Sequence, residues 1–228
     1  MPMRVLGIES ATLYGSVAIV AEEGILVEIT ALVPMRHLEW LLPAIDQALR
    51  DAGISRSQVD GLAVSAGPGG FTGLRIGIAT AATWARAMGI PLVGVSTLEA
   101  LAGACGTPGL VAPVLDAKRG EVAAALFRRE EDMGLTRLRE DTLLPPEALG
   151  ELLSTDEPVL LLGDGLARWP EAIQRAVRLP RVAPPVLWTP RAALVATLGR
   201  ERLLRGQGQD PYRLLPLYGR RPAVEKIG

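Results

Sequence analysis

Residues 63–77 read Ala-Val-Ser-Ala-Gly-Pro-Gly-Gly-Phe-Thr-Gly-Leu-Arg-Ile-Gly, and few backbones suit them. The apolar run Leu62–Val64 enters a loop holding Gly67, Pro68, Gly69 and Gly70, and the chain leaves through small and apolar residues from Thr72 to Met88. Strand, glycine-rich turn, helix is a layout that can aim backbone N–H groups and a helix N-terminus at an anion. The G-x-x-x-x-G-K-[ST] pattern of a phosphate-gripping loop has no match here, because the lysine is missing. The loop is expected to hold shape, or the edge of a ligand, rather than to run phosphoryl chemistry.

Along the exit helix Gly73, Gly77, Ala81 and Ala85 recur every four residues. They form a ridge almost free of side chain, which admits a close neighbour at a cost in helix propensity. Ile76, Ile78, Thr80, Trp84 and Met88 flank it, so this helix is expected to be buried all round. Upstream, Leu38, Leu41, Leu42, Ile45 and Leu49 share helical spacing between His37 and Ala52, with Gly53 as the stop and Pro43 tolerable near the first turns.

A duplication lies behind these elements. Residues 4–9 are an apolar run ending on Glu9, followed by a turn at Ser10–Tyr14, a run at Ser16–Ala21, the hairpin turn Glu22-Glu23-Gly24, and a run at Ile25–Val33. Residues 110–116 repeat the pattern, ending on Asp116, with a turn at Ala117–Gly120, a run at Glu121–Phe127, a charged turn at Arg128–Asp132 and a run at Leu135–Arg139. Two similar α/β lobes are expected, residues 1–106 and 107–228, with chance likeness of two three-strand meanders as the alternative. Further strands are expected at Pro91–Val95 and Val159–Leu162, and helices near Pro146–Leu153, Leu166–Ala176 and Pro190–Arg205. The last of these can pack back on the first lobe.

Composition excludes several classes. A net charge of −1 leaves no electrostatic footprint for gripping a polyanion unaided, so any nucleic acid would be held mainly by another chain. Cys105 is the sole cysteine, which rules out an intrachain disulfide and a thiolate metal cluster. The N-terminus has no signal-peptide pattern and no apolar run is long enough to span a bilayer, so the expected location is cytoplasmic.

Ile-Glu-Ser-Ala-Thr-Leu-Tyr-Gly-Ser-Val-Ala, from Ile8, resembles the opening strand and turn of the actin-like ATPase fold. The Gly67–Gly77 stretch, followed by Gly94-Val95-Ser96-Thr97-Leu98, resembles the TsaB (YeaZ) family. Asp116-Ala117-Lys118-Arg119-Gly120-Glu121-Val122 and Pro216-Leu217-Tyr218-Gly219-Arg220 are similar to that family's later landmarks. The resemblance implies two RNase H-like lobes of the actin-like ATPase (ASKHA) fold with the second lobe reduced. It also implies a non-catalytic subunit in synthesis of threonylcarbamoyladenosine in tRNA, working with the TsaD transferase and the TsaE ATPase. By the same resemblance, TsaD reads Asn-His-Leu-Glu-Gly-His where this chain has Ser96-Thr97-Leu98-Glu99-Ala100-Leu101, and its two histidines hold a metal. Thr97 and Leu101 cannot replace imidazole ligands, so no metal site and no catalysis by this chain alone are expected. A glycoprotease-type metal site has too few ligands, with His37 the only histidine, read as facing solvent or a neighbour at a helix start.

Two questions stay open. Glu9, with Ser10 and Thr12, and in the second lobe Asp116, Gly163 and Gly165, are candidates for facing ATP or ADP with magnesium in a cleft, which would allow an ATPase or kinase. Alternatively Glu9 simply caps the turn after its strand. Likewise Leu41, Ile45, Gly73, Ile76, Gly77, Thr80, Ala81 and Trp84 either serve their own core or form a helical contact with a related subunit, and with a second copy when that subunit is absent.

Overall fold

A computed structural model of the chain describes residues 3–132 and 134–217, so Tyr218–Arg220 of the C-terminal landmark lie outside the described residues. Strands β1 (Val5–Glu9), β2 (Tyr14–Ala21) and β3 (Gly24–Leu32) form an antiparallel meander. Strands β4 (Gly61–Gly67) and β5 (Leu92–Ser96) extend it in parallel, giving the order β3-β2-β1-β4-β5. The second sheet holds β6 (Gly109–Lys118), β7 (Glu121–Arg129), β8 (Leu135–Leu144), β9 (Val159–Leu162) and β10 (Pro180–Val182), in the order β10-β9-β6-β7-β8. Strand for strand this is the connectivity of the first, so the repeated meander is part of a repeated five-stranded lobe. The second lobe keeps all five strands and is reduced in its helices and in its two parallel strands, β9 and β10.

Side-chain alternation assigns each face of the first sheet. Leu6 and Ile8 of β1, with Leu62 and Val64 of β4, point to the core under α1 (His37–Asp51) and α2 (Phe71–Met88). Val5 and Ala63 point the other way, to α7 (Ala192–Leu204). The returning helix approaches closely because both sides are small. A Cβ on Gly7 would fall well under 3.0 Å from the Ala192 carbonyl oxygen, and one on Gly199 equally close to the Ala63 Cβ.

The start of α7 is capped from far away in sequence. Ala192 N–H donates to Ser16 Oγ at 3.1 Å, and Ala193 N–H donates to Glu28 Oε1 at 3.0 Å. Arg191 also pairs with Glu28, whose side chain is only 6% exposed. Loss of a helix N-cap costs about 1–2 kcal/mol, so Glu28→Ala is expected to lower the urea midpoint with an unchanged m-value.

The second sheet is covered in a reciprocal way. On one face lie α4 (Leu149–Leu152), α5 (Gly165–Arg168) and α6 (Pro170–Ala176). On the other lies α3 (Thr97–Gly103), whose Leu98, Leu101 and Ala102 pack with Val111, Leu115, Ala123 and Phe127. Each sheet is therefore sealed by a helix from the far side of the molecule. The expected helix at 166–176 is two short ones, since Trp169 leaves helical geometry (φ −129°, ψ 48°) just before Pro170. A C-terminal strap covers the edge of β5, where Gln209 N–H donates to Leu92 O at 2.7 Å, and reaches the end of β4, where Leu217 N–H donates to Ala66 O at 2.5 Å.

Candidate functional site

The glycine-rich loop folds down on the turn after β1. Gly70 N–H donates to Ala11 O at 2.7 Å, and a Cβ on Gly69 would lie 2.5 Å from the same oxygen. One turn into α2, Ser10 Oγ donates to Gly73 O at 2.9 Å. A Cβ on Gly73 would fall well under 3.0 Å from Ser10 O, and one on Gly77 as close to Ser10 Oγ. The small-residue ridge thus meets this chain's own backbone. This corrects the expectation that Gly73, Gly77 and Ala81 are open to a partner: all three are buried against β1 and its turn. Leu41 (2% exposed) and Ile45 (1%) are corrected in the same way, for they pack in the core with Leu6 and Ile8.

What remains outward is a different stripe. Leu38 and Leu42 sit about 60° and 100° round the helix from Leu41, and are 72% and 59% exposed. Between α1 and α2 runs a groove of about 460 Å³ lined by Leu42, Ala79, Thr80, Thr83, Trp84 and Met88, with Asp46 and Arg56 paired at its rim. Ile76, Thr80 and Trp84 stay half-buried, so α2 is not buried all round. Leu42 and Met88 entered the sequence patterns as core residues. Leu42 is turned outward by its helical phase relative to Leu41, whereas Met88 shares the phase of Gly77 and Ala81 and is exposed as the last residue of α2.

Glu9 has no exposed surface. Its Oε1 accepts Ala11 N–H at 2.5 Å, while Oε2 is buried without a hydrogen-bond partner among the described residues. Burial pushes its carboxyl up to about 7 from the usual 4.5, only partly offset by the Ala11 amide and the Ser65 hydroxyl. The geometry is that of the turn cap. Ser10 is buried under α2, and Thr12 Oγ1 accepts Tyr14 N–H at 3.2 Å.

Asp116 instead lines a cleft of about 280 Å³ between the two halves, with Pro68, Gly69, Phe71, Arg119 and Leu143. Its carboxylate is taken by Lys118, from Nζ at 2.6 Å and from N–H at 3.0 Å. Its own N–H donates to Asp164 Oδ1 at 2.9 Å, and burial raises the Asp164 carboxyl. Gly163 and Gly165 pack under the Val114 carbonyl and are closed off from this cleft. Lys118, Arg119 and Gly120 all have positive φ (62°, 55° and 84°), a tight hairpin tip that puts Arg119 in the cleft wall.

The remaining candidates are internal. His37 turns inward, 8% exposed, with Nε2 3.3 Å from Tyr14 O, so it faces a neighbour and not solvent. Thr97 and Leu101 are fully buried in α3. Among the described residues no group of three or more His, Cys, Asp or Glu side chains is arranged to hold a metal ion, and no helix is long and apolar enough to cross a membrane.

Comparison with known proteins places these features in context. A family model described as TsaD, tRNA N6-adenosine threonylcarbamoyltransferase, matches residues 21–158. The chain is 28% identical over 226 residues to the tRNA threonylcarbamoyladenosine biosynthesis protein TsaB of Bacillus subtilis, covering 98% of this chain and 96% of that one. It is 35% identical over 174 residues to the Escherichia coli protein of the same name, covering 74% of each. Among solved structures, YeaZ from Pseudomonas aeruginosa matches with a TM-score of 0.84 at 27% identity, over 95% of this chain and 99% of that chain.

Proposed function

Since this chain belongs to the TsaB (YeaZ) family, we propose that it serves threonylcarbamoyladenosine synthesis in tRNA as a non-catalytic subunit, docking a TsaD-like transferase on the outer face of α1 and α2. The observation that carries this reading is the apolar groove between those helices, flanked by Leu38 and Leu42 at 72% and 59% exposure. Apolar surface of this kind on a helix pair is the usual mark of an interface. A transferase of related fold offers an equivalent pair of helices, and so does a second copy of this chain, so a homodimer forms when the transferase is absent. A TsaE-like ATPase joins the assembly, and tRNA is bound through the complex, consistent with a net charge of −1.

Work on a nucleotide in the chain's own cleft has less support. The cleft is small, Lys118 is occupied by Asp116, and Glu9 is sealed away from solvent. If ATP or ADP with magnesium binds there, its role is to tune assembly.

Thr80→Arg tests the docking face. A charge buried without a partner costs about 3–5 kcal/mol, so affinity for the transferase subunit is expected to fall at least about a hundredfold, and the homodimer to dissociate. Multi-angle light scattering and a titration with the transferase read both. Unchanged assembly by a folded variant would remove this face from consideration.

A further inference from the structure

Two helices carry the chain between its halves, and they meet. α3 leads from β5 of the first sheet to β6 of the second, and α7 returns from the second half to cover the first sheet. Two lobes joined by a pair of crossing segments have the geometry of a hinge. We infer that this hinge is locked: a ring of ionic and hydrogen-bonded groups centred on Glu99 of α3 holds the two halves at one angle and keeps the cleft between them from closing.

The ring draws on both halves. Arg202 of α7 places Nη2 at 2.5 and 2.6 Å from the two carboxylate oxygens of Glu99, and its Nη1 donates to Gly94 O at 3.0 Å. From the second sheet, Arg137 of β8 reaches Glu99 Oε2 at 3.4 Å and pairs with Asp141. The Arg137 guanidinium also lies over the Phe127 ring, 4.6 Å from its centroid. Asp141 Oδ2 accepts from Ser96 Oγ at 2.6 Å, and Ser96 Oγ in turn accepts the Glu99 N–H at 3.2 Å. Two arginines balance two carboxylates, and the four charged side chains are between 17% and 26% exposed.

Rotation of one half against the other would draw Arg202, on the helix that covers the first sheet, away from Glu99, and Ser96 of β5 away from Asp141 of β8. Partly buried charges would then lose their partners, which is strongly unfavourable. The far end of α3 is held as well. Arg129 of β7 donates from Nη2 to Ala102 O at 3.2 Å and to Gly103 O at 2.8 Å. Both ends of the crossing helix are therefore tied to the second sheet, while Arg202 ties its first turn, at Glu99, to the helix that covers the first.

Spin labels at Arg50→Cys and Glu151→Cys, one on each half, report the angle as a distance distribution, and amide exchange reports the local stability of α3. The unaltered chain is expected to give one narrow distribution. Arg137→Met should broaden it and raise exchange in residues 97–103 about tenfold or more, with protection of β1 and β4 unchanged. Ser96→Ala, which removes a hydroxyl of the ring but leaves its four charges in place, should act in the same direction with a smaller effect if Arg137→Met does not fold. A distribution and an α3 exchange rate that stay as they were in either folded variant would overturn the lock.

Discussion

Gly73→Ala is expected to cost about 3 kcal/mol of stability, a large part of the ~5–15 kcal/mol that holds a domain of this kind together. The direction is opposite to what helix propensity alone predicts, since alanine is favoured over glycine inside a helix by about 1 kcal/mol. The added methyl would stand well under 3.0 Å from the Ser10 carbonyl oxygen, a backbone atom that cannot swing aside. Relief requires α2 to lift from β1, opening the core that Ile8, Ile78 and Ala81 share. Gly103→Ala is the control, because a Cβ there meets only Leu194 Cδ2 at 3.6 Å. That substitution should be neutral or slightly stabilising. Urea unfolding of the two variants side by side decides the matter, and equal stability would mean that the ridge is not packed on the turn after β1.

A pH titration of stability should show the second large effect. The folded protein holds the Glu9 carboxyl at about 7, against 4.5 when the chain is unfolded. A raised acid pKa means that the folded state keeps its proton where the unfolded state has lost it. The contribution is therefore fully present below 4.5 and is lost as pH rises toward 7, amounting to about 3 kcal/mol across the window. Glu9→Gln keeps an acceptor for the Ala11 N–H and cannot ionise. Relative to the unaltered chain it should gain stability steadily from about pH 4.5 to pH 7 and run parallel above that. The slope of this difference matters, not its offset, because the amide nitrogen would meet no acceptor where Oε2 has none now. Parallel curves throughout the range would show that Glu9 is ionised in the folded protein.

Both effects come from one small region, the turn at Ser10–Ala11, and its contacts explain how far a reading of the sequence reaches. The meanders were legible because strand periodicity, hairpin residues and a terminal acid are local signals, and they recur at Glu9 and Asp116. The helix from His37 to Asp51 and the strand at Val159–Leu162 were legible for the same reason. The helix at Thr97–Gly103 was not, because it is short and Thr97, Leu98, Ala100, Leu101 and Ala102 are all buried, leaving little contrast between its faces.

The candidate site divides along the same line. Spacing alone established that Gly73, Gly77, Ala81 and Ala85 form one ridge and that Leu38 to Leu49 form an apolar stripe. Which way each face points was beyond it. A ridge of small residues suits a neighbour's backbone and the chain's own equally well, and only the contact with Ser10 turned it inward and left Leu42, Thr80 and Trp84 facing outward. In the same way, the sequence near Glu28 says nothing of the helix that begins at Ala192, or that near Glu99 of Arg202. Periodicity propagates along a few residues of one chain segment and determines what each segment is. The partners of a face lie a hundred or more residues away, and only close packing in three dimensions decides them.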